Sequence, residues 1–190
     1  LAPDGADRVL LHGRPLSGIP LGDLRAEVVV SDPVPFLFSG TLRELLDPWG
    51  RHDDAAVLAA VDAVDATDIV AAVPGGLDVR VGEGGIEFSG GQRQRLGAAR
   101  SLLSDARLLV LHDPTSAVDA STEERMAAGI RSFRRGRATV VISSSPPLLA
   151  LADRVVVLDD ERVRAEGTHD DLLQRDGDYR RAVMRAEGVS

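Results

Sequence analysis

The sequence predicts an α/β fold built on a parallel sheet, and two observations lead to this prediction. Short apolar runs that do not alternate with polar residues recur along the chain, as in strands buried on both faces of a parallel sheet. Segments with helical spacing lie between them, and such an alternation is typical of α/β architecture. The predicted strands are Arg8–Leu11, Val28–Val30, Leu108–Leu111, Thr139–Ile142 and Arg154–Leu158.

Apolar spacing and helix-start signals predict the helices. The three long ones are Asp54–Val64, Gly91–Leu103 and Thr122–Phe133. Ser121 and Glu124 have the spacing of a capping box at the start of the third helix. Two prolines at positions 146 and 147 predict a short helix through Leu151, because proline is tolerated in the first helical turn.

The composition is that of an ordinary globular protein with one domain. Of the 190 residues, 44% are hydrophobic, which is enough for a core. The formal net charge of −8 argues against a nucleic-acid partner, since such binding relies on clustered Lys and Arg. The sequence has no cysteine, so disulfides and thiolate metal sites are excluded. No run approaches the roughly 20 apolar residues of a spanning helix, so we expect any membrane part on another segment or chain.

The most informative stretch is Phe88–Arg95, FSGGQRQR. One interpretation is a plain helix start, with Ser89 as N-cap and Gln92 closing a capping box. The two glycines between them, Gly90 and Gly91, each cost a helix about 1 kcal/mol relative to alanine. Glycine is usually accepted at such a place because backbone N–H groups must approach a ligand closely. A helix start attracts anions, so the pattern predicts a phosphate-binding site.

This stretch resembles the signature motif of ATP-binding cassette (ABC) proteins, with Phe88 in place of the usual leucine. Four further segments resemble motifs of the same family, in the family's order. They are Val28–Leu46 for the Q-loop, Val81–Glu83 for the exporter X-loop, Leu108–Asp119 for the Walker B strand and D-loop, and Ala152–Leu173 for the C-terminal hairpin and helix. Five motifs in register cover nearly the whole chain, which is thus similar to the nucleotide-binding domain of an ABC exporter.

The resemblance implies a partial P-loop NTPase-like sheet with an inserted helical subdomain. We expect one domain over residues 1–190. Its expected parts are a helical and signature subdomain at about 32–95, the Walker B, D-loop and C-terminal sheet part at 96–168, and a C-terminal helix at 169–190.

The Walker A loop has no counterpart in the sequence. All 22 basic residues are arginine, and a loop of the form GxxxxGK[ST] needs a lysine to reach the phosphates. Leu1–Leu16 resembles the segment that follows the Walker A helix in the family. We therefore expect the chain to be truncated just after that motif, without its strand and loop.

In the family two cassettes sandwich ATP head to tail, and the residues used in cis depart from the pattern here. His112 stands where an Asp helps to hold Mg²⁺, and imidazole is a poor ligand for that ion. Asp113 stands at the position of the catalytic Glu and is one methylene shorter, which weakens it as a general base. Ser31 replaces the Gln of the Q-loop, and Ser144 replaces the switch His, where an ordinary turn or cap role is also open.

The residues used in trans follow the pattern. Ser89, Gly90, Gly91 and Gln92 match the signature residues that bind the γ-phosphate held by the partner, and Ser116–Asp119 keeps the D-loop form. We therefore expect a degenerate exporter subunit that is inactive or very weak as an ATPase alone. Asp119 is included among its ATP-binding residues, and Mg²⁺ is expected mainly through the partner's site.

The expected partners are a second cassette with intact Walker A and B motifs, in a heterodimer, and a transmembrane domain. That domain would place the chain at the cytoplasmic face of the membrane. One alternative is a soluble ABC ATPase of DNA repair or translation. Two exporter-like segments argue against it, Ser39–Leu45 and Gly167–Leu173. An inactive, truncated remnant is the other alternative.

The family usually has glycine at the position of Glu161, so a turn with positive φ is expected to be strained there.

Overall fold

The computed structural model describes residues 9–187. Arg8 of the first predicted strand and the first eight residues of the Leu1–Leu16 segment lie outside the described residues. The strands are β1 (Leu10–Leu11), β2 (Arg14–Pro15), β3 (Val28–Val30), β4 (Gly40–Thr41), β5 (Arg80–Val81), β6 (Leu108–His112), β7 (Ala138–Ile142), β8 (Val155–Asp159) and β9 (Arg162–Gly167). The α-helices are α1 (Leu21–Glu27), α2 (Leu42–Leu46), α3 (Asp54–Ala63), α4 (Thr67–Ala72), α5 (Gly90–Leu102), α6 (Ala120–Phe133), α7 (Pro146–Ala150), α8 (His169–Arg175) and α9 (Gly177–Glu187).

A parallel sheet with the strand order β3-β6-β7 forms the base of the fold. Val28 pairs with Leu108, and Leu108 pairs with Ala138. Three of the predicted strands therefore lie in one parallel sheet, as expected. All three end at the same edge, because the carboxyl ends of parallel strands point in one direction.

The prediction that the strands are buried on both faces is wrong. Successive side chains of a strand point to opposite faces, and only one face of this sheet packs on the main core. Leu109 and Leu111 of β6 are fully buried there, whereas Val30, Val140 and Ile142 are about half exposed or more.

Two predicted strands lie outside the parallel sheet. Leu10–Leu11 pairs antiparallel with β2, and Val155–Asp159 pairs antiparallel with β9. An apolar run indicates a strand without indicating the direction of its partner, which explains the error. The β8–β9 turn has Asp160 at φ 45° and Glu161 at φ 61°. The expected positive φ at Glu161 is thus confirmed.

The main core joins the helices to one face of β6. Its members come from helices α2 to α6 and from the sheet, and the largest fully buried ones include Leu42, Leu46, Ile69, Leu96, Leu102, Leu109 and Met126. A second, smaller cluster contains Val155, Leu172, Tyr179 and Val183. The helical part and the sheet therefore share one core, and the C-terminal helices pack on another.

Side-chain caps set the helix starts. The capping box of Ser89 and Gln92 at α5 is confirmed. At α6 the predicted cap is wrong, because Asp119 rather than Ser121 is the N-cap, and its carboxylate accepts from Thr122 N at 3.0 Å. The helix starts one residue before Ser121, whose hydroxyl donates to Asp119. The boundaries proposed near residues 95 and 168 stay a prediction.

Candidate functional site

The signature start, defined as Ser89–Gln92, presents several hydrogen-bond donors to solvent. Ser89 Oγ accepts from Gln92 N at 3.2 Å, and Gln92 Oε1 accepts from Ser89 N at 2.8 Å. A serine hydroxyl that accepts one bond keeps its own O–H as a donor. The N–H groups of Gly90 and Gly91 lie in the first turn, where no intrahelical acceptor exists. The capping box therefore holds three donors at the positive end of a 13-residue helix.

The two glycines of the signature start have different surroundings. A Cβ placed on Gly90 would meet nothing within 4 Å, so the space above it is open. A Cβ placed on Gly91 would lie 2.5 Å from Ala117 O of the D-loop. Close approach of a ligand, the reason inferred from the sequence, suits Gly90. Gly91 is required already by the packing of this chain against its own D-loop.

Gln94 is the residue that the sequence analysis missed. Its side chain is buried, with 5% exposed, and its Nε2 donates to Asp113 O and to Ser116 Oγ, each at 2.9 Å. Its Oε1 accepts from Ala117 N at 2.9 Å. Its spacing along α5 could have indicated this role. Gln94 lies three and four residues before Gly97 and Ala98, so the three residues share the buried face of the helix. A glutamine on an apolar face implies buried polar partners.

The D-loop, Ser116–Asp119, ends in the cap of α6. Asp119 accepts from Ser121 Oγ at 2.6 Å, from Thr122 N and from Thr122 Oγ1. These hydrogen bonds, led by the one from Ser121, hold the pKa of Asp119 well below its ordinary value. Both carboxylate oxygens therefore have acceptor roles within the chain, and they determine where the D-loop turns into the helix.

The Walker B edge, defined as His112, Asp113 and Ser144, lies at the carboxyl ends of β6 and β7. Asp113 has a φ of 43°, and its N–H donates to Ile142 O at 2.9 Å. His112 Nε2 lies 3.5 Å from Asp113 Oδ2, and both side chains are nearly half exposed. Ser144 is exposed. Ser31, which donates from its N–H to Val110 O, ends the neighbouring strand β3. The structure thus brings all the predicted cis positions to one edge of the sheet.

The Walker B edge does not fit Mg²⁺ as a ligand set. Its two charged or chargeable side chains are one imidazole and one carboxylate, whereas Mg²⁺ prefers oxygen ligands in octahedral array. Within residues 9–187 no three His, Asp or Glu side chains are grouped so that they could hold a metal ion. We therefore assign no chemical step of this chain to a metal ion.

An exposed apolar patch lies beside the X-loop. We define it as Val34, Phe36, Phe38 and Ile86, all at least 51% exposed. The rings of Phe36 and Phe38 are 5.0 Å apart, and Gly84 N donates to Leu37 O at 2.9 Å, which joins this segment to the X-loop. Contiguous exposed apolar groups mark an interaction surface.

The X-loop is also joined to the signature start. Gly82 N donates to Glu87 Oε1 at 2.6 Å, two residues before Ser89. This backbone hydrogen bond is the largest cause that lowers the pKa of Glu87. A main-chain hydrogen bond therefore joins the segment with the apolar patch to Gly84, next to the X-loop. A main-chain to side-chain hydrogen bond joins the X-loop to Glu87, two residues before Ser89.

Comparison with known proteins identifies the family. The family model described as ABC transporter matches residues 2–116. This chain belongs to the ABC transporter family. The resemblance inferred from the five motifs is confirmed, and membership implies an ATP-binding domain, typically with Mg²⁺. No helix within residues 9–187 of this ABC chain has the length and apolar character needed to cross a membrane.

Relatives and a solved structure indicate the exporter type. The ABC chain is 38% identical over 171 residues to an ATP-dependent lipid A-core flippase of Burkholderia orbicola, covering 90% of the chain and 29% of the flippase. A flippase of the same name from Chromobacterium violaceum is 37% identical, with 93% and 30% covered. The chain thus spans about 30% of the length of these relatives.

The fold matches a bacterial Atm1-family ABC exporter solved with ATP bound. The TM-score is 0.83 at 31% sequence identity, and the match covers 93% of this chain and 31% of that exporter chain. The predicted fold class is therefore confirmed. The chain forms part of an exporter-type nucleotide-binding domain.

Proposed function

We propose that this chain is the degenerate half of an asymmetric pair of cassettes and that it donates its signature start to ATP held by a partner. One observation carries the proposal, namely the contrast between its two candidate nucleotide contacts. The signature start has a closed capping box and open space above Gly90. The Walker B edge has an imidazole where a carboxylate is needed and no ligand set for a metal ion.

The signature start fits a phosphate group by its donors. Ser89 O–H and the N–H groups of Gly90 and Gly91 would bind the terminal phosphate, and the capping box holds them before the nucleotide arrives. Donors that are fixed in advance inside a water-poor interface are worth about 3 to 4 kcal/mol in a transition state. This chain therefore contributes charge stabilisation to a reaction whose metal and water the partner positions.

At the Walker B edge we propose a much weaker contribution. Asp113 stands at the general-base position, but its side chain is short and contacts His112. Ser144 stands at the switch-His position without an imidazole to exchange protons. Asp119, which is expected among the ATP-binding residues, also shapes the D-loop, because its carboxylate caps α6.

The apolar patch suits a second partner, the transmembrane domain. Val34, Phe36 and Phe38 expose apolar side chains next to the X-loop, and the net charge of −8 provides no basic surface for nucleic acid. We place the chain at the cytoplasmic face of the membrane on this basis. The flippase names of the relatives make a lipid the first substrate class to test for the whole transporter.

ATP turnover of a mixed dimer tests the proposal. The full-length protein that contains this chain is assembled with a cassette that has its own Walker A lysine, and turnover is compared among Ser89→Arg, Gly90→Asp and Asp113→Asn. We expect the first two variants to lower turnover at least about 100-fold, because they obstruct or repel the phosphate. Asp113→Asn should change it less than about twofold, since its loss removes only a weakened base.

The reverse pattern would refute the division of roles. If Asp113→Asn stops hydrolysis and Ser89→Arg leaves it unchanged, the Walker B edge is the working one. If this chain gives the partner no stimulation in any form, the remnant hypothesis is supported instead. Gln174→Met, on the exposed side of α8, provides a control for nonspecific loss.

A further inference from the structure

The signature helix α5 touches both the D-loop and the Q-loop segment with its main chain. A Cβ on Gly91 would lie 2.5 Å from Ala117 O, and a Cβ on Gly97 would overlap the ring of Pro35. Glycine at these positions lets the helix backbone approach Ala117 O in one case and the Pro35 ring in the other. The helix therefore has two contact points with the loops around it, one near its start and one in its middle.

Gln94 lies between these two contact points and connects them. Its carboxamide has two N–H donors, which match Asp113 O and Ser116 Oγ, and one oxygen, which matches Ala117 N. Pro33 O lies 3.5 Å from the same nitrogen, on the Q-loop segment. One buried side chain thus joins the signature helix, the end of the Walker B strand, the D-loop and the Q-loop segment.

An apolar side chain of similar size would fill this volume without the cost of burying an amide. The polar side chain instead specifies one arrangement, since its three short hydrogen bonds go to three different residues, Asp113, Ser116 and Ala117. Main-chain atoms supply two of the three short partners, Asp113 O and Ala117 N. The position of the loop backbone relative to α5 is therefore set by Gln94.

We propose that Gln94 is a positioning residue that makes the signature start and the D-loop one rigid surface, so that both meet the partner's nucleotide in a single geometry. This inference rests on the proposed donation of the signature start in trans. Gln94 itself touches no nucleotide, because it is buried under the D-loop. Its effect on turnover is exerted through Ser116, Ala117 and the helix start.

The test replaces Gln94 with methionine, which keeps the length and removes every hydrogen bond. In the mixed dimer of full-length chains we expect kcat per folded dimer to fall at least about tenfold, as for a misplaced catalytic surface, with KM for ATP within about twofold. Hydrogen exchange of the Ala117 amide should become faster, while exchange in the core of α3 and α6 stays unchanged. Gln174→Met is the matched control and should change neither quantity.

Ser116→Ala is a milder variant. It should leave the free energy of unfolding nearly unchanged, because Ser116 is exposed. It removes one of the three short bonds, so we expect a fall of about two- to fivefold in kcat. Combined with Gln94→Met it should add almost nothing, because coupled residues are non-additive.

The outcomes separate this inference from the proposed function. If Ser89→Arg abolishes turnover and Gln94→Met does not lower kcat per folded dimer, the trans role stands and the positioning role is refuted. If Gln94→Met lowers kcat and Ser89→Arg does not, the trans role is refuted and Gln94 still positions the D-loop. Unchanged turnover in both variants, or unchanged exchange at Ala117, overturns the positioning role.

Discussion

The signature start and the Walker B edge are linked through Gln94 and differ in how firmly their side chains are held. Ser89 and Gln92 exchange the two hydrogen bonds of the capping box, and the neighbouring Gln94 joins α5 to Asp113, Ser116 and Ala117. At the Walker B edge, hydrogen bonds from Gln94 Nε2 to Asp113 O and from Asp113 N to Ile142 O hold the main chain. Its side chains are held less firmly, since Asp113 Oδ2 lies 3.5 Å from His112 Nε2 and Ser144 is exposed. Geometry that many bonds determine is expected where a surface must meet a ligand unchanged. The difference supports the proposal that the signature start, rather than the Walker B edge, contacts the nucleotide.

The largest expected effect concerns ATP affinity. The 190 residues contain no lysine, so we expect them alone to bind MgATP with a Kd above about 1 mM. Isothermal calorimetry measures this, with circular dichroism as the control for a folded chain. A micromolar Kd that is lost when Mg²⁺ is removed would show that the Walker B edge binds nucleotide after all.

Gly90 and Gly91 should differ in how much their replacement destabilises the chain. Gly91→Ala should lower the free energy of unfolding by about 1 to 3 kcal/mol, because the added Cβ overlaps Ala117 O. Gly90→Ala should change it by less than about 1 kcal/mol, since the added Cβ meets only open space. Urea unfolding of both variants checks this. Equal losses would mean that the D-loop does not contact α5 in solution.

Asp119→Ala should lower the melting temperature by about 2 to 4 °C at pH 7, because α6 loses its cap. The pKa of Asp119 is lowered in the folded state, so the unfolded chain takes up the proton first. The stabilisation is therefore complete above about pH 4 and is lost as the pH falls further. Melting scans between pH 7 and pH 3 should show the gap to the parent chain narrowing.

Asp119→Asn is the matched control, because asparagine caps a helix without a titrating charge. Its difference from the parent should be smaller at pH 7. A gap between Asp119→Ala and the parent that does not change with pH would show that the carboxylate charge contributes nothing to the cap.

The smallest effect is expected at the turn between β8 and β9. Glu161→Gly should raise the melting temperature by about 2 °C, because glycine adopts a φ of 61° without the strain of a Cβ. Thermal melts compare it with Glu161→Ala, which keeps a Cβ and should give no gain. A rise in both variants would assign the effect to the lost charge instead.

The sequence was sufficient for the parallel strands, since Val28–Val30 and Leu108–His112 are apolar runs of strand length. It was insufficient for β8, because the direction of a strand partner is decided by the turn after it. The cap of α6 was misplaced for a related reason, as Ser121 and Asp119 both have N-cap side chains and only the helix start selects one. Local signals identify an element, and tertiary contacts decide its ends and partners.

The same distinction between local signals and tertiary contacts applies to the candidate site. The motif around Ser89 could be found from the residues alone, because capping and glycine have strong local signatures. Gln94 was missed because its partners Asp113, Ser116 and Ala117 lie 19 to 23 residues further along the chain. The role of Gly91 was also hidden, since it depends on a backbone oxygen of the D-loop.

The pairing of β3 with β6 has a consequence for how the chain folds. Val28 meets Leu108 only after helices α2 to α5 have been placed between them, so this pairing closes a long loop. The entropy of that closure delays non-local pairing relative to contacts among the helices. We therefore expect Leu96→Ala, in the helical core, to slow refolding, and Val29→Ala, in β3, mainly to speed unfolding.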